Sequence, residues 1–507
     1  MSESIDAFLA GERPSTPCLV LDLAVVRANH TAVRAALPVA EVLYAVKANP
    51  AEPVLRLLVE LGAGFDVASV GEVDLCLAAG ADPARLSYGN TIKKPADVEY
   101  AYRAGVRRFT VDTEDDLVRV AAHAPEVEVS VRFLVDVPAS TTPFGDKFGC
   151  SPREAGRLVV RAGELGLTAG LAFHVGSQQC DPGAWARGIE QAAAIVGRCG
   201  PVASLNLGGG FPVRYADRDG VSDGVPDSVA DTMSERGESI MDALARCFPD
   251  GVAPVAVEPG RILVATAGLI RTEVVSIAHR SGVDGATERW VYLDAGRYNG
   301  LAETENEYIA YPIRTGRPSG PDEPTEPVVL AGPTCDGDDV LYRRTRYRLP
   351  ATLRAGDTVD LCRAGAYTAS YSSVAFNGIE PLPCYTADSP PVGTFRGRHV
   401  LAELRGVPAD ALDDAPRLAE ALRTALTKAG ATVCDVMTKA FQPQGVTVLA
   451  LLAESHASIH TYPERRAAFV DVFTCGTGAD PAEAVRLLAD ALGATSSTSR
   501  TIPRGQL

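Results

Sequence analysis

Val42-Leu-Tyr-Ala-Val-Lys47-Ala-Asn-Pro50 is an apolar, β-rich run that ends in a lysine. A lysine at the end of a buried strand is expensive unless its amine is paired, used covalently or solvated at a barrel mouth. Alone it carries little weight, because lysines often simply surface at strand ends. Outward from it, the same β-then-α texture repeats from about Ala24 to Thr266. Strand candidates are Val42–Val46, Phe109–Val111, Val127–Leu134, Leu171–His174, Leu205–Leu207 and Pro254–Val257, with helices such as Gly71–Ala79 and Ala184–Cys199 between them. That alternation implies a parallel sheet with crossover helices. A (β/α)8 barrel fits the length and places active groups at the strand C-terminal ends. A doubly wound sheet is the competing arrangement, and periodicity does not exclude it.

Beyond Ile262 the texture changes to short strands, Thr272–Ile277, Trp290–Leu293, Val328–Leu330 and Thr358–Cys362, separated by Gly/Pro/Asp-rich turns. Arg314–Pro327 and Asp217–Glu238 read as mobile loops, and Thr386–Gly397 as a Pro/Gly-rich linker. A compact αβ pattern follows, with helices near Ala415–Ala429 and Pro481–Leu492. The expected division is a barrel over 24–266, a β domain from 1–23 and 267–385, a linker at 386–397 and a small α+β module over 398–507. No internal repeat or low-complexity tract is visible.

The chain has 507 residues, and 64 acidic against 48 basic side chains leave a net charge of −16. A pI near 5.0 argues against a nucleic-acid surface. No apolar run reaches the ~18 residues needed to span a bilayer, so no membrane partner is expected. MSESIDAFLAGERPSTP has neither a basic start nor a long apolar stretch, which makes secretion unexpected. The 11 cysteines are scattered without C-x-x-C spacing, and the 7 histidines do not cluster with them at ligand spacing. Reduced thiols, a cytoplasmic location and no metal are therefore expected. An enzyme or an enzyme relic fits these bounds.

Three further features follow strands. Leu207-Gly208-Gly209-Gly210-Phe211-Pro212 offers bare backbone N–H groups to a phosphate, although a GGG alone is usually a flexible turn. Glu258-Pro259-Gly260-Arg261 brings a carboxylate and a guanidinium to one mouth, where a surface salt bridge is the plain alternative. His174-Val175-Gly176-Ser177 adds an imidazole, which more often is a satisfied core residue. A lysine able to form an imine, a phosphate cradle and a carboxylate for a pyridinium proton are together what pyridoxal phosphate (PLP) needs.

YAVKANP, GFDVASVGE, FHVGSQ, LGGGFP, VEPGR, GPTCDG and GAYTASYSS occur in the order found in the fold-type III PLP decarboxylases, and the chain resembles that family over roughly residues 10–385. The resemblance implies a PLP-binding (β/α)8 barrel followed by a β domain, in a head-to-tail homodimer. It implies that Lys47 forms the Schiff base with PLP, that Glu258 holds the ring nitrogen protonated and that His174 stacks on the ring. Gly208, Gly209, Gly210, Arg261, Ser177 and Tyr367 would bind the phosphate, with Asp66 near the cofactor. Cys335 would come from the partner subunit and return a proton to Cα, and Asp336 would bind the distal amine of a basic amino acid. CDG resembles ornithine decarboxylases, whereas diaminopimelate decarboxylases typically show CES. Eukaryotic-type ornithine decarboxylases carry a Tyr-Asp pair where this chain reads Gly300-Leu-Ala-Glu303-Thr-Glu305-Asn-Glu307-Tyr308. One of the three glutamates could supply that carboxylate, and ornithine is favoured over lysine.

The last module holds Leu451-Leu-Ala-Glu454-Ser455-His456-Ala-Ser458-Ile-His460-Thr-Tyr462-Pro-Glu464. GxSxG is absent, which disfavours a hydrolase, and His456 and His460 lack further ligands at sensible spacing. Composition alone leaves this stretch as a polar loop after a buried strand. GRH, ESHASIHTYPE and DVFTCG look like the bacterial class of S-adenosylmethionine decarboxylases, over about 396–507. That resemblance implies chain cleavage between Glu454 and Ser455, with Ser455 becoming a pyruvoyl group. His460 would assist processing and Cys475 would donate a proton during catalysis. Thr447 stands where the family usually has a processing serine, and Tyr462 where it often has tryptophan.

Both resemblances together imply one chain with two decarboxylases, acting on ornithine and on S-adenosylmethionine, the precursors of spermidine. The alternatives are a PLP half acting on lysine or another diamino acid with a tail acting on a different amino acid, or one half serving as a non-catalytic regulatory module.

Overall fold

A computed structural model of the chain describes residues 3–137, 140, 147–217, 224–281, 285–316, 323–387, 397–452, 455–475 and 479–504. The chain forms two compact units, Met1–Asp388 and Ser389–Leu507.

In the first unit eight parallel strands close into a barrel: Ala40–Ala45, Gly64–Val67, Leu86–Tyr88, Arg108–Val111, Glu128–Phe133, Thr168–Phe173, Leu205–Asn206 and Val255–Val257. Ala40 pairs with Val255, which closes the ring. The doubly wound alternative is thereby excluded. Strands such as Gly64–Val67 are buried at every residue, as expected where helices cover the outside and side chains fill the inside. Several of the surrounding helices start at side-chain caps. Asp22 accepts from Ala24 and Val25, Ser69 from Glu72, and Thr113 from Asp116, each cap worth ~1 kcal/mol. The helix Ala184–Cys199 has the limits expected of it.

Two barrel strands, Gly64–Val67 and Leu86–Tyr88, have four and three residues and escape a search for longer β-rich runs. The stretch Asp217–Glu238 is not one loop, because Ser228 caps a long helix, Val229–Cys247, that begins inside it. Arg314 and Thr315 belong to the strand Ile313–Thr315, and Thr325–Pro327 open the strand Thr325–Ala331. Residues 317–322 of that expected loop lie outside the described residues.

A mixed sheet of nine described strands follows the barrel, centred on the long strand Gly268–Ser281. Cys18–Leu21, from before the barrel, pairs antiparallel with Gly268–Ser281 and parallel with Cys384–Thr386.

The second unit is a six-stranded antiparallel sheet. Its order is Val433–Ala440, Val446–Leu452, Ser455–Tyr462, Ala467–Cys475, Gly397–Arg405, Ser496–Arg504. One face, with Val400, Val448, Ile459 and Val470, packs under the helices Ala415–Lys428 and Pro481–Leu492. The other face exposes Leu401, Leu449, Leu451 and Phe469 beside His456 and His460. The segment expected as a polar loop is thus an inner strand, whose alternating pattern belongs to a sheet covered on one side. Among the described residues no helix is long and apolar enough to cross a membrane.

Candidate active sites

The C-terminal ends of the barrel strands converge on a cavity lined by Ala45, Lys47, Asp66, His174, Ser177, Gly210, Phe211, Glu258, Gly260, Arg261 and Tyr367. Lys47 sits on a tight turn, Val46–Ala48, directly after its strand. Its Nζ lies 3.6 Å from Asp66 Oδ2, and its side chain remains 47% exposed because the cavity opens above it. Burial at the rim opposes the ammonium, but Asp66, Tyr367 and Glu258 more than offset this and hold the amine above its ordinary value. Burial also raises the Asp66 carboxyl, against the pull of Lys47 and Arg132.

Glu258 follows the strand Val255–Val257 and accepts a 2.6 Å hydrogen bond from Asn206 Nδ2. Burial, reinforced by the Asp66 charge, pushes its carboxyl up to about 7. His174 is held well below the ordinary imidazole value by burial and by the cations Arg132 and Lys47, so its ring is neutral. Its Nδ1 accepts the Gly176 N–H at 3.0 Å.

The glycines have a packing reason as well as a chemical one. A Cβ on Gly209 would lie 2.4 Å from the Glu258 carbonyl, and one on Gly210 would lie 2.2 Å from the Gly176 carbonyl. Gly208 and Gly210 also take positive φ. Gly260 closes the cradle, where a Cβ would come within 3.0 Å of the Tyr367 hydroxyl.

Arg261 is buried, with Nη2 3.3 Å from Ser177 Oγ and its guanidinium 4.8 Å from the Tyr367 ring centroid. Glu303 grips it with both oxygens at 2.5 and 2.7 Å. The other two glutamates lie elsewhere: Glu305 is exposed near Arg297, and Glu307 accepts backbone N–H groups of Arg343, Arg344 and Thr345. Among the described residues Arg261 Nε is buried without a hydrogen-bond partner. A lysine amine, a buried carboxyl, a neutral imidazole and a glycine-bounded cradle beside an arginine fit the aldehyde, ring nitrogen, ring face and phosphate of PLP.

Cys335 and Asp336 do not line this cavity. They occupy an exposed loop after the strand Thr325–Ala331, where Cys335 Sγ lies 3.3 Å from Asn377 Oδ1. Buried Asp339 anchors the loop through Thr334 and the Arg297 N–H. The Tyr298 and Phe376 rings meet beside it, tilted by 30° with centroids 4.4 Å apart.

In the second unit, Thr447 stands opposite His460 across neighbouring strands, and their side chains hydrogen-bond. Ser455 opens its strand, and the imidazole that touches it is His456, with Nδ1 3.1 Å from Ser455 Oγ. His399, His456 and Asp471 bring ligand-type atoms within 4.8 Å of one another, a meeting that sequence spacing could not show. Glu454 lies outside the described residues. Cys475 ends the strand Ala467–Cys475, and its side chain lies outside them too.

Residues 23–265 match the family model described as pyridoxal-dependent decarboxylase, pyridoxal binding domain, and residues 398–505 match S-adenosylmethionine decarboxylase. Among curated proteins the chain is 33% identical to a lysine/ornithine decarboxylase of Selenomonas ruminantium over 385 residues, 75% of this chain and 92% of that protein. Among solved structures it is similar to the lysine/ornithine decarboxylase of Vibrio vulnificus complexed with putrescine, with TM-score 0.63, 31% identity and coverage of 75% and 96%. It is also similar to the arginine decarboxylase of Paramecium bursaria Chlorella virus bound to agmatine, with TM-score 0.67, 27% identity and coverage of 76% and 100%.

Proposed function

The chain belongs to the pyridoxal-dependent ornithine/lysine-type decarboxylases and continues into an S-adenosylmethionine decarboxylase module, and from that premise we propose a bifunctional enzyme of polyamine synthesis. Its PLP half converts L-ornithine to putrescine. Its tail, after cleavage at Glu454–Ser455, decarboxylates S-adenosylmethionine for spermidine formation.

The observation that carries the first half is the cavity in which Lys47, Asp66, His174, Glu258 and Arg261 converge. Bound there, PLP supplies an electron sink for the pair released with CO₂. Lys47 holds it at the aldehyde carbon, and Asp66 keeps the amine in place. Asn206 donates to Glu258, and burial beside Asp66 leaves that pair short of positive charge, which a protonated ring nitrogen supplies. His174, being neutral, lies against the ring without opposing that proton. Ser177, Arg261, Tyr367 and the Gly208–Gly210 backbone hold the phosphate.

Of the three glutamates Glu303 is the one that reaches Arg261 in the cavity wall, and it attracts the distal ammonium of a diamino acid while sharing Arg261. Cys335 of the partner subunit protonates Cα, and Asp336 of the partner subunit takes the distal ammonium. A homodimer or higher homo-oligomer is supported by the exposed apolar residues Tyr371, Val374 and Phe376, which lead to Asn377 and the Cys335 loop. In the tail, Cys475 donates the proton that replaces CO₂, and Thr447 positions His460. Ten described cysteines are free thiols, which supports a reducing compartment such as the cytoplasm.

The test is CO₂ release from carboxyl-labelled ornithine, lysine, arginine and S-adenosylmethionine. Lys47→Ala is expected to abolish release from ornithine alone, and Ser455→Ala release from S-adenosylmethionine alone. Either variant keeping the activity assigned to its half would contradict the reading. Similarity to lysine/ornithine decarboxylases favours lysine as the second reading, and the same panel decides it through kcat/KM.

A further inference from the structure

A run of polar groups starts at Ser455, the first residue of its strand, and continues over the uncovered face of the second unit's sheet. Ser455 Oγ lies 3.1 Å from His456 Nδ1, and His456 Nε2 faces Asp471 Oδ2 at 3.7 Å. The same carboxylate oxygen faces His399 Nε2 at 3.6 Å, and Ser458 donates to the other oxygen, Oδ1. Among the described residues His399 Nε2 is buried without a hydrogen-bond partner. Strand register explains the meeting: His456 and His399 both stand opposite Phe473, from the strands on either side of it. The Phe473 ring touches both imidazoles, at centroid distances of 5.8 and 5.4 Å, and restricts how either can turn.

We propose that His456 is the base that takes the Ser455 hydroxyl proton in chain cleavage, with Asp471 and His399 as positioning residues. This rests on reading the tail as self-cleaving. For Nδ1 to accept from Ser455, the neutral ring must carry its proton on Nε2, the atom that faces Asp471. Once Nδ1 gains the serine proton, the carboxylate stabilises the resulting imidazolium.

The step balances without an outside reagent. The proton passes from Oγ to Nδ1, and Oγ attacks the carbonyl carbon of residue 454. The C–N bond then breaks, the amide nitrogen takes the proton from His456, and an ester remains. Water then takes the Ser455 Cα proton as the Cβ–O bond breaks and the carboxylate of residue 454 leaves. Water hydrolyses the tautomerised remainder to the ketone and releases ammonia. His460, the histidine favoured by sequence resemblance, is engaged by Thr447. A cation at the His399–His456–Asp471 group is disfavoured, because Arg504 Nη1 lies 3.3 Å from His399 Nδ1 and donates to it.

The experiment follows the full chain from the moment of cell-free synthesis by intact mass, with hydroxylamine added to samples to cut any accumulated ester. The unaltered chain is expected to split into residues 1–454 and 455–507. His456→Ala is expected to split ~10²–10⁴-fold more slowly, to resist hydroxylamine, and to recover in part with added imidazole. Asp471→Asn is expected to slow splitting, and Asp471→Glu to restore part of the rate. Splitting of His456→Ala at the unaltered rate, or its accumulation as a hydroxylamine-cleavable ester, would overturn the proposal. A slow His456→Ala that imidazole does not rescue, together with Asp471→Asn at full speed, would also overturn it. If the unaltered chain never splits, the self-cleaving reading falls first and takes this step with it.

Discussion

Glu258 is where burial and charge compete most sharply. Its carboxyl rises from the usual value to about 7 in the folded chain. A carboxyl raised on folding contributes stability that is present below its unfolded value and lost as pH climbs through the folded one. Without cofactor, Glu258→Gln should therefore leave the protein more stable than the parent at pH 8, by up to ~3 kcal/mol. The gain should fade below pH 4.5, and urea midpoints across pH would show it. A parent as stable as the variant at pH 8 would mean that Glu258 is not strained. Glu303 bears a different test: Glu303→Gln should lower kcat/KM for ornithine ~10–100-fold, the worth of a charge-assisted hydrogen bond, while PLP stays bound. Lys47, His174, Glu258 and Arg261 were legible as single letters because each stands in a motif after a strand. Glu303 was not, since three glutamates share one short segment and only the fold shows which faces Arg261. Asn206 and His456 are likewise identified by what they touch.

The helix Ala184–Cys199 could be bounded from its sequence, and short barrel strands such as Val255–Val257 were found to within a residue, whereas Gly64–Val67 and Leu86–Tyr88 were missed. Ser455–Tyr462 was misread because alternating polar residues resemble a loop until a neighbouring strand supplies the register. The glycine turn after Leu205–Asn206 is constrained on both sides, so even one methyl should be felt. Gly209→Ala should cost ~1–3 kcal/mol and weaken PLP binding, because the intruding Cβ pushes against the Glu258 carbonyl. Chemical denaturation and a titration with PLP would report both effects. Unchanged stability would mean that the turn relaxes freely.

At the scale of the molecule, Lys47 and Cys335 occupy separate places in one unit: the first lines the cavity and the second stands on an exposed loop. Mixing Lys47→Ala and Cys335→Ala proteins, each inactive on ornithine alone, should restore up to about a quarter of normal activity, since half the dimers are mixed and carry one intact site each. No recovery after subunit exchange would place Cys335 outside the partner's site. The succession of a barrel, a β sheet and a separate αβ unit was readable from texture, while the uncovered face of the last sheet required coordinates. The central claim is that one chain carries both kinds of carbonyl chemistry, and a single mass spectrum tests it. The purified protein is treated with PLP and borohydride, which makes the lysine–cofactor link permanent, then denatured, digested in part and weighed. The account predicts a piece of residues 1–454 that carries PLP at Lys47, and a second piece of residues 455–507 beginning with a reduced pyruvoyl group. An unbroken chain, or PLP on any lysine but Lys47, would contradict it.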